Sequence, residues 1–274
     1  MSLFHLDRRL IRVSGPDRVS FLQNLLTQDV EGLASVRYGA LLNAQGKVSV
    51  DMLIWSMNDA FILETDLRFG DDLLRRLGLY TLRAQVSVEE VRDLGAVFSE
   101  QLFDGALADP RMPEGALGYR KLAPRDEALK VQNGDVILRA LTVQQGVPNL
   151  AEDAKPEEIF AGEALLDELN GVDFQKGCFV GQENVSRMKR RATTRKKFCR
   201  IAYEGAALEY GAAINAGDAD IGAVRSATGN RAIALLRLDR AMEASERGVT
   251  LTAGGREIRL DPPSWLILPS REGA

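Results

Sequence analysis

The sequence predicts an α+β fold that ends in a small β-barrel, and three features carry that expectation. Through the first two thirds, helical and strand periodicities mix without the regular alternation of a βαβ protein. Beyond Arg200 the pattern changes to short strand-like runs punctuated by Gly205, Gly211, Gly217, Gly222, Gly229, Gly248 and the pair Gly254-Gly255. At 274 residues the chain also exceeds the usual size of a single core. The expected division is 1–195 for the α+β part and 196–274 for the barrel.

Taken in order, Ser14-Gly15-Pro16-Asp17 offers a cap and an early proline, after which Val19, Leu22, Leu25 and Leu26 recur with helical spacing. Strand-like runs at 38–43 and 47–55 are separated by Ala44-Gln45-Gly46, and Asn58-Asp59 separates the second from 60–65. Three antiparallel strands are the simplest account. Leu67, Leu73, Leu74 and Leu77 suit a second amphipathic helix, and 80–88 reads as a further strand. Between 104 and 124 the pattern weakens, with Gly105, Pro110, Pro113, Gly115 and Gly118 marking turns. A helix is expected within 157–169, where acidic residues sit in the first turn and Asn170-Gly171 supplies a stop. The basic stretch 187–200 is the natural junction with the barrel.

Composition narrows the chemistry. A formal charge of -4, from 35 Lys+Arg against 39 Asp+Glu, gives no overall attraction to nucleic acid or an anionic membrane. The first fifteen residues lack the apolar core of a signal peptide and no stretch is long enough to span a bilayer, so a cytoplasmic protein is expected. Cys178, Cys199 and His5 are the only Cys and His residues, too few for a four-ligand zinc site or for a four-iron cluster held by one chain. No metal site is expected. Two separate thiols are expected rather than a disulfide, which a reducing cytosol disfavours.

Four segments could carry chemistry. Cys178 follows Gly177 and precedes a stretch from Gly181 that can form a helix, and Lys176 and a basic run lie close by, the setting of a reactive thiolate. An isolated cysteine is more commonly a small buried hydrophobe, and residue chemistry alone favours that. With His5 far away in sequence, a cysteine-histidine hydrolase lacks its base. Cys199 alternates with Ile201 and Tyr203 and is expected in the core. The run Arg187, Lys189, Arg190, Arg191, Arg195, Lys196, Lys197 and Arg200 holds no acid, and suits a folate glutamate tail, a nucleic-acid phosphate, an acidic partner or simply solvent. Asp51 interrupts an apolar strand, where it is either a ligand for the nitrogens of a heterocycle or an exposed strand residue.

Lys176-Gly177-Cys178-Phe179-Val180-Gly181-Gln182-Glu183 closely resembles the K-G-C-[YF]-x-G-Q-E signature of the YgfZ family, which is related to the aminomethyltransferase (T-protein) of the glycine cleavage system. Val13-Ser14-Gly15-Pro16-Asp17, Phe21-Leu22-Gln23, the Gly46-Lys47 hairpin, Gln145-Gly146-Val147-Pro148 and Gly222-Ala223-Val224-Arg225-Ser226 fall in the matching order. The resemblance implies two intertwined α+β modules around a central channel holding tetrahydrofolate, followed by the barrel. It implies Cys178, Lys176 and Asp51 as the reacting groups, with Asp51 set against the reactive part of the folate. Asn43, Lys47, Phe179, Gln182, Glu183 and Arg187 are expected as further folate-binding residues. Two positions depart from the pattern: Phe179 stands where tyrosine is common, and Thr142 where relatives often carry arginine.

The function so implied is a folate-binding accessory protein, acting as a monomer, that assembles or repairs four-iron four-sulfur clusters with carrier or client proteins. Two alternatives remain at this point: a folate-dependent aminomethyltransferase of one-carbon metabolism, and a tRNA-associated binding module using the basic run.

Overall fold

The computed structural model describes residues 1–191 and 194–269 of the chain. Its N-terminal strands are β1 (Phe4–Leu6), β2 (Arg8–Ser14), β3 (Val36–Leu42), β4 (Val48–Met57), β5 (Ala60–Asp66), β6 (Ser87–Val91), β7 (Leu94–Ser99), β8 (Leu107–Ala108) and β9 (Tyr119–Pro124). The helices are α1 (Arg18–Leu25), α2 (Gly70–Tyr80), α3 (Arg125–Ala128), α4 (Asp135–Gln145), α5 (Leu150–Asp153) and α6 (Gln182–Arg191). Two antiparallel sheets result, one in the order β3-β4-β5-β2-β6 and the other β1-β7-β9-β8. The first two strands join different sheets, so the chain passes from one module to the other at Asp7 and the modules are intertwined from the start.

The three-strand expectation for 38–65 holds, because its turn chemistry is local. Asn43 Oδ1 accepts the amides of Gln45 and Lys47, both at 3.0 Å, and Gly46 takes φ 81°, the left-handed region that glycine enters without steric cost. Phe4, Leu6, Ala96, Phe98 and Leu138 form a small core that seats α4 on the second sheet. The C-terminal strands β10 (Lys196–Tyr203), β11 (Ala213–Ala216), β12 (Ala219–Thr228), β13 (Arg231–Arg237), β14 (Leu251–Ala253) and β15 (Arg256–Leu260) close a barrel, with α7 (Leu238–Glu246) between β13 and β14. Closure removes the sheet edges that short strands would otherwise expose. Cys199 lies inside this barrel, and burial pushes its thiol up to about 12.

Two local expectations are corrected. Residues 157–169 form successive turns rather than a helix. Leu165 takes φ 62°, and the carbonyls of Ile159 and Glu163 accept the amides of Val48 and Phe198 instead of serving an intrahelical ladder. Residues 80–88 are not one strand: Tyr80 ends α2, a 3-10 turn covers Thr81–Arg83, and the strand begins only at Ser87. The Gln85 amide is held instead by the Asp17 carboxylate at 2.8 Å, which ties the segment to the start of α1.

A buried ion chain fastens the two sheets together. Glu64 of β5 accepts from Trp55 Nε1 at 2.9 Å and from Arg120 of β9 at 2.7 Å. Arg120 also reaches Asp109 at 3.0 Å, and Asp109 holds Arg111 through two bonds of 2.9 and 2.8 Å. Replacing Arg120 by Met takes the nearest cation from buried Glu64 and one of two from buried Asp109, and is expected to cost about 3 to 5 kcal/mol, measurable as a lower urea midpoint. A loss below about 1 kcal/mol would contradict this account of the chain.

The barrel is fastened through Asp153, which is fully buried and accepts the amides of Ser226 in β12 and of Asn149, each at 2.8 Å. Burial pushes its carboxyl from the ordinary 3.8 up to about 6, against the pull of those amides. The folded state therefore binds this proton more tightly than the unfolded one. The associated stability is present below 3.8 and is lost as the pH rises through about 6. Asp153→Asn should flatten the melting temperature over that interval relative to wild type, and parallel profiles would refute the assignment.

Candidate functional site

A cavity of about 300 Å³ opens between the two sheets and α4. β3 contributes Tyr38, β4 Asp51, β5 Glu64 and Asp66, and α4 Arg139 and Thr142, while Arg111 and Arg120 form the far wall. Asp51 is thus a half-buried residue of a polar cavity, not a solvent-facing strand position. Tyr38 donates its hydroxyl to Asp51 Oδ2 at 2.9 Å. Burial pushes the Asp51 carboxyl up, a shift only partly offset by the Tyr38 hydrogen bond and the Arg111 charge. Burial pushes the Tyr38 phenol well above its ordinary value too, which keeps it a donor at neutral pH.

Tyr38 is itself held. The Arg111 guanidinium lies 5.7 Å from its ring centroid, an arrangement attractive to the ring face. Arg111 is fixed in turn by Asp109, whose carboxyl burial would raise but which the Arg111 and Arg120 charges hold at about 2. At the opposite side Arg68 binds Asp66 through two bonds of 2.8 Å, and Arg68 and Arg139 both reach Glu152, at 3.4 and 3.2 Å. These two arginines are half-exposed. Thr142, the departure noted in α4, is buried and donates to the Arg139 carbonyl at 2.9 Å.

The signature segment lies elsewhere. Cys178 is exposed, on the loop that precedes α6, so the buried-hydrophobe alternative does not describe it. Phe179 is buried beneath that loop, with the Lys176 ammonium 5.4 Å from its ring centroid. Lys176 Nζ donates to the carbonyls of Leu26 and Gln28 at 2.7 and 2.9 Å, and burial pushes it down to about 8 against the pull of Asp29, Asp173 and Glu31.

α6 forms as expected, and Gln182 at its first position donates to the Gly177 carbonyl at 3.4 Å. Glu183 and Arg187 are exposed on the same helix. A side chain at Gly181 would meet the Asn43 carbonyl at 2.6 Å, so the signature packs directly on the β3–β4 turn. Asn184 adds a 2.7 Å bond to the Gln45 carbonyl. Asn43 bonds Glu157 at 3.0 Å, and Lys47 lies over the Phe160 ring at 5.6 Å.

Of the expected reacting and folate-binding residues, only Asp51 lines the cavity. Asn43, Lys47, Phe179, Gln182 and Glu183 gather around the turn and the signature loop, with Lys176, Cys178 and Arg187. Three cations of the basic run are paired with acids. Lys197 pairs with Glu168, Arg200 with Asp261 and Lys189 with Asp167, while residues 192–193 within it lie outside the described residues. Sequence reasoning missed Tyr38, Asp109, Arg111 and Arg120 as site residues. The turn-rich composition around 104–124 concealed the last three.

With this geometry in view, the solved aminomethyltransferase T of the glycine cleavage system from Bartonella henselae superposes over 97% of this chain and 86% of its own, with a TM-score of 0.76 and 16% identity. The chain has an aminomethyltransferase-like fold. Its closed barrel also matches, over residues 195–267, the family described as CAF17, C-terminal beta-barrel domain. The mitochondrial iron-sulfur cluster assembly factor IBA57 homologue of Pyricularia oryzae is 32% identical over 214 residues, 70% of this chain. The match takes in 54% of that relative, so the chain spans about half the length of it. The human mitochondrial assembly factor IBA57 is 28% identical over 274 residues, covering 85% of this chain and 76% of its own. The aminomethyltransferase-like fold here is therefore one shared with relatives named for iron-sulfur cluster assembly.

The same relatives correct the cytoplasmic expectation, since each is a mitochondrial protein by name. Thiol usage and net charge could not have drawn that distinction, because a reducing interior leaves the same trace in composition whichever compartment provides it.

The geometry at Asp51 yields a signed prediction. The Tyr38 hydroxyl stabilises the charged carboxylate, so Tyr38→Phe should move the Asp51 titration further upward, read by carbon NMR of labelled aspartate. An unmoved or lowered midpoint would show that the hydrogen bond does not set the charge state of Asp51.

Proposed function

We propose that this protein is a tetrahydrofolate-binding member of the YgfZ family that helps assemble or repair four-iron four-sulfur clusters on other proteins. The observation that carries this reading is the exposed Cys178 within Lys176-Gly177-Cys178-Phe179-Val180-Gly181-Gln182-Glu183. The names of the assembly-factor relatives support it. A chain with two cysteines, one of them enclosed in the barrel, supplies a single available thiol. Cluster chemistry therefore requires further ligands from a carrier or client protein, to which Cys178 adds one.

The cavity residues fit a folate. Its wall presents the Asp51 carboxylate beside Arg68, Arg111 and Arg139, and about 300 Å³ lies at the small end of ligand sites, of roughly 300 to 1,000 Å³. Asp51 would receive a ring or amine N–H, Tyr38 would hold that carboxyl in place, and the half-exposed Arg68 and Arg139 would meet the glutamate carboxylates. Tetrahydrofolate, when bound, supplies a carrier for a one-carbon unit at its ring nitrogens. The raised Asp51 carboxyl suits it to hold or release a proton beside such a nitrogen.

Two variants separate the roles. Asp51→Ala should weaken tetrahydrofolate binding by at least about tenfold, or 1.4 kcal/mol, by calorimetry. Cys178→Ala should bind folate as wild type does, yet fail to restore four-iron enzyme activity in a deletion strain. Full restoration by Cys178→Ala would overturn the role of the thiol, and unchanged binding by Asp51→Ala would overturn the folate site.

A further inference from the structure

On its N-terminal side, the loop that carries Cys178 is fastened to one stretch of backbone, the strap that follows α1, and Val180 beyond it reaches the last turn of that helix. α1 ends at Leu25 and the chain turns extended at Leu26, so the Asn24 carbonyl and those of the strap from Leu26 onward have no partner within the helix. Four of them accept donors from the signature loop. The Asn24 carbonyl accepts the Val180 amide at 3.2 Å, and the Thr27 carbonyl accepts the Asp173 amide at 3.0 Å. The carbonyls of Leu26 and Gln28 both accept from Lys176 Nζ. Asp173 stiffens the same loop by accepting the amides of Gln175 and Lys176, at 2.7 and 3.2 Å.

Between these anchors lie Gly177 and Cys178. A side chain added at Gly177 would meet nothing within 4 Å, so this part of the loop faces open space. The thiol itself is exposed. Its location is therefore fixed by the residues on either side of it. Val180 secures one side through its backbone, which any residue could do. The other side is held by the Asp173 amide and, nearest to Cys178, by the Lys176 side chain.

We infer that Lys176 is the positioning residue for Cys178, its ammonium tying the thiol-bearing loop to the strap after α1 and thereby holding it in the geometry a cluster-bearing partner meets. This rests on the reading of Cys178 as the functional thiol. An ammonium bonded to two backbone carbonyls of another segment is a structural clamp, and the Phe179 ring beneath it adds a third contact. The competing role is proton transfer, which the burial-lowered Lys176 could also perform. Arginine separates the two, because it keeps the charge and the donors but does not deprotonate.

The test combines amide hydrogen exchange of the peptide covering 171–181 with restoration of four-iron enzyme activity in a deletion strain. In Lys176→Met, exchange in that peptide should rise by roughly tenfold while β3, β4 and folate binding stay as in wild type, and restoration should fail. In Lys176→Arg, protection and function should return together. Unchanged exchange in Lys176→Met would overturn the inference, as would a Lys176→Arg protein that is protected but inactive. Full activity of Cys178→Ala would instead remove the function assigned to the thiol, and the exchange result would still report whether Lys176 holds the loop.

Discussion

The structure depends on the ion chain Glu64–Arg120–Asp109–Arg111. Burying four charged groups is costly, and apolar side chains of similar volume would commonly be no less stable. What apolar packing would not provide is a fixed register between two sheets that meet through few strands. Glu64 belongs to β5 of one sheet and Arg120 to β9 of the other, so each charge finds its partner only when both sheets are in place. Arg111, the last cation of the chain, is also the group that faces Tyr38. The same interaction that locks the modules thus sets the electrostatics of the cavity, and Asp51 feels it through both the Tyr38 hydroxyl and the Arg111 charge.

Much of the fold was legible where its causes are local. The hairpins from 38 to 65 follow from period-two apolar runs broken at Asn43-Ala44-Gln45-Gly46 and Asn58-Asp59, and both turns use left-handed residues, Gly46 and Asn58. Cys199 alternates with core residues and is buried, and the α6 helix follows Gly181 as its composition suggests. The segment 157–169 misleads because its apolar positions are buried on every side. Ile159, Ala161, Ala164, Leu165 and Leu166 are all in the core, and turns locked to distant amides satisfy that pattern as well as a helix would. α4 carries legible signals that composition reading passed over, an acid at Asp135, apolar Leu138 and Leu141, and Gly146 at its end with φ 77°.

The site was legible in part, for a different reason. Asp51 draws notice because an acid in an apolar strand needs an explanation, and Cys178 because its neighbours form a signature. Asp109, Arg111 and Arg120 give no such sign. Charged residues among glycines and prolines read as exposed loop, and only the folded arrangement brings them into one buried chain with Glu64. Tyr38 looks like an ordinary strand aromatic until its hydroxyl is seen to meet Asp51 across the β3–β4 pair.

Cavity and thiol occupy separate places, yet both are referenced to the strap after α1. Thr27 exchanges two bonds with Ala40, accepting its amide on Oγ1 at 2.8 Å and donating its own amide to the Ala40 carbonyl at 3.0 Å. Ala40 is the register partner of Asp51. The Thr27 hydroxyl also donates to the Gly171 carbonyl at 2.6 Å, and Gly171 lies so near the Tyr38 ring that a side chain there would approach it to 3.0 Å. The acid and its tyrosine are therefore braced by the same few residues that carry the signature loop. Thr27 bonds Ala40 and Gly171 directly, so a change at Thr27 reaches the Asp51 side and the signature side together, whereas loss of the Lys176 ammonium removes bonds on the signature side alone.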